Sequence, residues 1–480
     1  MKHIRLSEMR RMILMTGSLL KKHWRSAFNM VGHLDYQLIK HVCSEIHGTF
    51  PITFTAKGIS FDAKTIEPGD IYVPIEEPGF DGHQLIEAAV EAGACATFWK
   101  KSISLSPSLS DELTVFVVED PMEAVKQLAE IYLVEVDPVR IAVVGDETRI
   151  AVKKILVKLL TDAYNVHGID RLAADEKSML ETILTMPLET DALICEVDAR
   201  ESNKVRTLGN LLTPSISLIA VDKEEEEALL RHAVLIEDTM KASGSIIVDG
   251  DHAYFRSREW KTDVFFYGEN PENMFNIDEK KCDEDMCTFS IKGIRLTFQL
   301  PSIFSKHMTL ITSTIATCVH LGIDAEHIKR SLSQLNLRDL EFIEMGTVCG
   351  TTIVCEALEE RQFNTEYGVK LLKQLGSFKR RVLIIDDGFQ GEKSEKTLHE
   401  TVASSISSPI TDVLTIGDKA FWVAEALKRV DNDKLNYKHY VSHSEAIIPL
   451  KEIIENISLV LYRGANHDLI KQLIKELNRH

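Results

Sequence analysis

Residues 141 to 160 carry the frame of a phosphate-binding site: the apolar run Ile141-Ala142-Val143-Val144, a glycine at 145, and an amphipathic stretch from Ile150 to Leu160. In a P-loop such a strand, loop and helix let backbone N–H groups cradle phosphates, while a Lys and a Ser or Thr reach the phosphates and Mg²⁺. Here the loop reads Gly145-Asp146-Glu147-Thr148-Arg149-Ile150. Two carboxylates stand where an anion should lie, Arg149 takes the place of the Lys, and Ile150 offers no hydroxyl to a metal. Each carboxylate adds repulsion of roughly 1–4 kcal/mol at surface-like dielectric, which weakens nucleotide affinity about tenfold or more. The frame is kept and its chemistry is lost.

The elements that would position this loop follow an alternation of strands and helices. Val115 to Val118, a helix from Met122 to Val134, the strand at 141–144 and its helix come first. Ala192 to Val197 and Ile216 to Val221 read as further buried strands. This pattern predicts a largely parallel, doubly wound sheet. Upstream, Leu34 to Ile46 reads as a short helix, Ile59 to Pro74 alternates apolar and polar residues around a Pro-Gly-Asp turn, and Gln84 to Ala92 reads as helix. Downstream, 245–300 reads as a more antiparallel insert, followed by helices at His307 to Leu321 and Ala325 to Leu332. The last third restarts the alternation with strands at Thr352 to Val354, Val382 to Ile385, Val413 to Ile416 and Val460 to Tyr462. Helices are predicted there at Tyr367 to Gln374, Leu398 to Ser404 and Lys419 to Lys428.

At 480 residues the chain has material for about three domains of ~150 residues each. With 44% hydrophobic and 27% charged residues it falls in the ordinary soluble class. No apolar run approaches the ~18 residues of a membrane span, and the start lacks a signal-peptide core, so a cytoplasmic home is expected. Eight cysteines are dispersed; the nearest pairs, Cys282/Cys287 and Cys349/Cys355, lack C-x-x-C spacing. They are expected to be small buried hydrophobes in a reducing compartment rather than zinc ligands or disulfides. The net charge of −18 argues against nucleic-acid binding. Residues 1–30 are the exception, with seven Lys/Arg against the single acid Glu8.

The order of these signals resembles the Mur ligases, and within them the members that add D-alanyl-D-alanine to a UDP-N-acetylmuramoyl-tripeptide. Asp62-Ala63-Lys64, Gly69-Asp70 and Phe80-Asp81-Gly82-His83 resemble that family's D-S-R-x-x-x-x-G-D and F-D-G-H patterns. Gly145 to Ile150 falls on its T-G-S-N-G-K-T loop, and Cys195-Glu196-Val197-Asp198-Ala199 on a strand-end pattern whose Glu holds Mg²⁺. Ala220-Val221-Asp222-Lys223, followed by four glutamates, replaces T-N-I-G-x-A-H-L and lacks its His. Ser305-Lys306-His307-Met308 keeps the His of G-R-H-N-x-x-N and loses both amides. In the last third, Leu337 to Glu341 matches the G-R-L-E hinge only with a one-residue shift, and Cys355 to Gln362 replaces D-D-S-Y-N-A-N-P. Asp386 with Gly391-Glu392 and Ser394, then His399, Thr415-Ile416-Gly417 and Arg463-Gly464-Ala465, keep scaffold features.

The resemblance covers roughly residues 33–480. It implies an α/β, three-domain Mur ligase architecture with a doubly wound P-loop-type central domain and a Rossmann-like C-terminal domain. The implied division is a basic N-terminal arm at 1–32, a UDP-sugar-type domain at 33–136, an ATPase-type domain at 137–336 and a C-terminal domain at 337–480. It makes Gly145, Thr148, Arg149, Ile150 and His307 the nucleotide positions, Glu196 the metal position, and Asp62, Lys64, Asp81, Gly82 and His83 the substrate contacts. A bland reading stands beside each: Glu196 as a strand-end carboxylate, His307 as a helix-start histidine, Glu224 to Glu227 as a solvated helical turn, and Asp62 and Asp81 as turn formers.

The family reaction activates a carboxylate as an acyl phosphate with ATP and lets an amine attack it, which demands a complete set of cations around the phosphates. The expectation is therefore a Mur ligase-like protein related to peptidoglycan precursor synthesis, catalytically compromised and acting as a binding or regulatory paralogue. The alternative is an active ATP-dependent amide ligase adding D-Ala-D-Ala or a similar amine to a UDP-MurNAc-peptide. ATP and Mg²⁺ belong to that alternative. The expected partners are a UDP-muramoyl-type precursor or a cell-wall synthesis protein. Residues 1–30 interleave Met9, Met12, Leu19, Leu20, Trp24 and Phe28 with basic residues, so they either pack on the acidic body or dock on an anionic membrane or protein surface.

Overall fold

The structure is a computed structural model. It describes residues 34–464, except 49–53, most of 107–112, 147, 169–174, 222–226, 284–285, 336–342, 349–350, 358–377 with 379, most of 388–409, 430–434, 443, 447–448 and 451–457. The basic arm, Glu224 to Glu226, and the helices expected at 367–374 and across most of 398–404 lie outside the described residues. Two compact units form: the first comprises 34–278 with 290–297 and 309–331, the second 279–289, 298–308 and the chain from 332 onward.

The first unit opens with a correction. Instead of a helix from Leu34 to Ile46 there is a strand pair, Leu34–Asp35 with Thr55–Ala56, a four-residue helix Tyr36–Ile39, and a strand Glu45–His47. The Asp35 carboxylate accepts from Leu38 N at 3.0 Å and starts the short helix. Long-range pairing of Glu45–His47 with Thr114–Val118 then overrides local helical preference. The resulting five-stranded sheet runs 45–47, 114–118, 96–100, 71–72, 59–60, and all but its first pair are parallel.

The helix Pro121–Val136 connects this sheet to the next. Asp120 caps it through Glu123 N at 2.9 Å, Pro121 supplies a preset φ in the first turn, and Asp137 ends it in the left-handed region at φ 48°. The central sheet is ordered Val166–His167, Ala192–Asp198, Val139–Gly145, Ile216–Ala220, Ser245–Asp249, Asp263–Gly268 and the start of Phe275–Cys282, every pair parallel. The doubly wound expectation therefore holds, and the expected antiparallel insert is corrected in its first half: Ser245–Asp249 and Asp263–Gly268 extend the parallel sheet, whereas Phe275–Cys282 and Met286–Ile291 fold back on each other, with Asp283 N donating to Met286 O and Lys292 N to Asn276 O at 2.9 Å each. The short alternating patterns of the first two could not report strand direction.

One apolar core runs through the first unit from Leu34 to Phe255, joining Phe98, Phe116 and Tyr132 to Val144, Leu180, Leu193 and Ile219. Burying each such side chain contributes about 1.5–3 kcal/mol. Polar links join the same segments. Tyr132 donates its hydroxyl to Met186 O at 2.5 Å, and Phe61 N donates to the buried Glu181 carboxylate at 3.2 Å.

The second unit holds a six-stranded sheet ordered 343–348, 351–357, 459–464, 381–386, 412–416, 436–440, parallel except for the first pair. Its four predicted strands all form, within one to three residues of the expected ends, and Phe421–Leu427 supplies one predicted helix. The cysteine expectation is corrected in part here. Cys282 and Cys287 form a disulfide, because the turn closed by Asp283 N to Met286 O (2.9 Å) brings their Cα atoms to 4.0 Å. Cys43, Cys95, Cys195 and Cys318 remain thiols. Among the described residues no helix is long and apolar enough to cross a membrane.

Candidate functional site

Three parallel strands end side by side at Gly145, Asp198 and Ala220. Gly145 is demanded by packing: a Cβ there would lie 1.6 Å from Ala220 O. The next residue, Asp146, is buried, and its Oδ1 accepts from Thr148 N at 2.8 Å and from Thr148 Oγ1 at 2.6 Å. The helix Thr148–Leu160 starts at that contact. A helix N-terminus presents unsatisfied N–H groups and partial positive charge, the features that attract phosphate. Here the chain's own carboxylate fills that position.

Arg149 turns inward. Its side chain is 3% exposed, Nη1 donates to Asp146 O at 2.8 Å, Nε lies 3.4 Å from Glu196 Oε2, and Nη2 lies 3.9 Å from Asp198 Oδ2. One helical turn later Lys153, equally buried, brings Nζ to 3.1 Å from Glu196 Oε1. Asp198 is clamped by Arg200 through its backbone N (3.0 Å), Nε (3.0 and 3.1 Å) and Nη2 (2.6 Å). Burial pushes the Asp198 carboxyl up, but the hydrogen bonds from Arg200 and the charges of Arg149 and Arg200 outweigh it and hold it below the ordinary range. Burial raises the neighbouring Cys195 thiol to about 12, so it is inert as a nucleophile.

The residues present do not fit a nucleotide–metal pair. Mg²⁺ needs oxygen ligands at roughly 2.0–2.1 Å with room for its waters, whereas both oxygens of Glu196 face the chain's own cations. Thr148 spends its hydroxyl on Asp146, and Ile150 is half-buried beside it. Lys153 was not singled out from the sequence. Its i+4 spacing from Arg149 was the available signal, since that spacing places both on one helical face.

His307 ends the 3-10 turn Ser302–His307 that leads into the helix Met308–His320; it belongs to the second unit, whereas the loop and Glu196 belong to the first.

The N-terminal candidates form two self-bonded turns, one at Asp62 and one at Asp81, and Gly82 of the second contacts Tyr72. Asp62 Oδ1 accepts from Lys64 N at 2.9 Å, the self-bonded turn of an Asx residue, and Lys64 is exposed. Asp81 Oδ1 accepts from His83 N at 3.0 Å and lies 2.7 Å from His83 Nδ1, and these contacts hold its carboxyl below the usual range. His83 is buried edge-on against Trp99, ring centroids 4.8 Å apart. Gly82 packs so closely that a Cβ would meet Ile75 N at 2.8 Å, and its carbonyl accepts from the Tyr72 hydroxyl at 2.8 Å. Burial, then the charges of Asp62 and Asp81, raise that hydroxyl to about 12. An open depression of about 390 Å³ is lined by Glu76, Glu77, Gly79, Phe80, Asp81 and Gln84. Lys100 and Lys177 pair with Glu76 and Glu77 at 2.5 Å each.

In the second unit Asp386 ends its strand and is hydrogen-bonded by the Tyr462 hydroxyl. The adjoining Asp387 accepts from Lys419 N and Ala420 N at 2.8 Å each. Gly417, at φ +104°, leaves room for that carboxylate: a Cβ would lie 2.2 Å from Asp387 Oδ2. Arg338, Glu359, Gly391, Glu392, Ser394, His399 and Ala465 fall outside the described residues.

No protein-family model matches the chain. It is 24% identical over 429 residues to UDP-N-acetylmuramoyl-tripeptide--D-alanyl-D-alanine ligase of Bacillus subtilis, covering 88% of this chain and 93% of that protein. The Escherichia coli ligase of the same name is 22% identical over 450 residues, covering 89% and 94%. This similarity over most of the chain supports the Mur ligase family. The fold matches that of the Acinetobacter baumannii MurF with a TM-score of 0.73 at 17% identity, covering 93% and 99% of the two chains. The Thermotoga maritima MurF ligase in complex with ADP matches at a TM-score of 0.62 and 17% identity, covering 88% and 98%.

Proposed function

We propose that this Mur ligase-like protein belongs to peptidoglycan precursor metabolism, binds a UDP-muramoyl-peptide-type ligand, and does so without ATP-driven ligation. The observation that carries this reading is the Asp146 carboxylate on the start of the Thr148–Leu160 helix, where a nucleotide phosphate would have to lie. A phosphate entering there meets a buried like charge and must break the helix cap. The N-terminal segments support the ligand side of the reading, because the Tyr72 hydroxyl donates to Gly82 O within the field of Asp62 and Asp81, and Asp81 in turn holds His83.

A second reading, an active ATP-dependent amide ligase using Arg149 and Glu196, is favoured by the near full-length similarity to curated D-alanyl-D-alanine ligases. Phosphate release from ATP with UDP-muramoyl-tripeptide and D-Ala-D-Ala separates the two. The proposal expects release no greater than a heat-killed control, and UDP-muramoyl compounds raising the melting temperature more than ATP does. Release that depends on both substrates would establish the second reading instead.

A further inference from the structure

Glu196 sits in a cluster at the strand ends in which, among the described residues, Arg149, Lys153 and Arg200 stand against Glu196, Asp198 and the nearby Asp146, whose backbone carbonyl accepts from Arg149. Within it, each Glu196 oxygen faces a different cation, Oε1 the Lys153 ammonium and Oε2 the Arg149 guanidinium. Together these carry the two positive charges that a divalent ion would bring. Both come from consecutive turns of one helix and are only 3–4% exposed, so neither is free to swing away into water as a surface lysine would.

We infer that Arg149 and Lys153 are a resident replacement for a divalent cation at Glu196, so that the central strand ends hold their geometry without metal or nucleotide. The inference rests on the reading of the loop given above and deepens it. A metal ion arriving at Glu196 meets the Arg149 and Lys153 cations already on its two oxygens, and it must displace an ammonium from a carboxylate oxygen to find a ligand. Glu196 therefore keeps the carboxylate of a metal site but not its vacancy for a metal. Lys153 is the positioning residue in this arrangement, and its removal leaves one Glu196 oxygen without its cation.

The test uses the full chain and Mn²⁺ alone, read by thermal melting and by loss of the free-ion electron paramagnetic signal. The wild-type protein is expected to bind no Mn²⁺ through Glu196 and to melt at the same temperature with or without it. Lys153→Met is expected to melt lower, to recover part of the loss in Mn²⁺, and to bind the ion; Lys153→Met with Glu196→Gln is expected to ignore it. If Lys153→Met cannot be recovered folded, refolding with and without Mn²⁺ replaces the melt, and recovery only with the ion supports the inference. Mn²⁺ binding by the wild type that Glu196→Gln abolishes would overturn it, as would a Lys153→Met protein indifferent to Mn²⁺ in both formats. ATP turnover by the wild type would instead sink the reading of the loop, so the two failures are distinguishable.

Discussion

Lys153 Nζ lies 3.1 Å from Glu196 Oε1, and the two side chains are only 4% and 11% exposed. Removing one member of so buried a pair leaves an uncompensated charge. Glu196→Gln should therefore cost about 3–5 kcal/mol in chemical denaturation, while Lys153→Met with Glu196→Gln should cost less than either single change. Additive losses would mean that the two groups do not interact.

Asp146→Asn keeps an oxygen to accept from Thr148 N but removes the charge from the helix start. Nucleotide affinity should rise about tenfold, equivalent to ~1.4 kcal/mol, with little loss of stability. Replacing the whole loop by Asp146→Asn, Glu147→Gly, Thr148→Gly, Arg149→Lys and Ile150→Thr should raise it further. Isothermal titration with Mg-ATP reads both, and unchanged affinity would show that this loop is not what limits binding.

Asp198 has a folded pKa below its unfolded value, so its contribution to stability is present above the unfolded value near pH ~4 and is lost as pH falls through the folded one. Denaturation midpoints should decline in that acid window. Arg200→Gln removes the clamp and should flatten the part of the decline that belongs to Asp198. An unchanged pH profile in the variant would remove Arg200 from the account.

Gly145→Ala places a methyl group where Ala220 O already lies, with no side chain available to yield. Overpacking of this kind costs ~1–3 kcal/mol even where neighbours relax, and here backbone must move. The variant should melt well below the wild type or fail to accumulate. A melt within a degree or so of wild type would show that the strand ends shift readily.

Thiol titration of the unreduced, denatured chain should find two fewer reactive groups than its eight cysteines, and Cys282→Ser should lose none of the reactivity outside that pair while freeing Cys287. Full reactivity before reduction would leave the pair as thiols.

What was legible in the sequence was whatever repeats locally. The strands at 141–144, 192–197 and 216–221 announce themselves as β-branched and aliphatic runs, and the helix at Thr148–Leu160 by its buried Val152, Ile155, Leu156 and Leu159. The residue types of the loop, with Asp146, Arg149 and Ile150 in place of the family pattern, can be read there too. Not visible was where the charges would go: the i+4 spacing puts Arg149 and Lys153 on one helical face, but nothing local directs that face toward Glu196, 47 positions beyond Arg149 in the chain. Direction and pairing were hidden for the same reason at Ser245–Asp249 and Glu45–His47, whose partners are set by distant strands.

The apolar core that runs from Leu34 to Phe255 bears on how such a protein can be inherited or divided. A module that travels between genes must carry its own hydrophobic interior, and a cut near residue 137 would split this one, parting Tyr132 from Met186 and Phe61 from Glu181. Each half would expose a broad oily face and aggregate when made alone, yet the two should find each other when produced together. Residues 34–278, with 290–297 and 309–331, should therefore be inherited together, even though two sheets with separate strand orders are written into them.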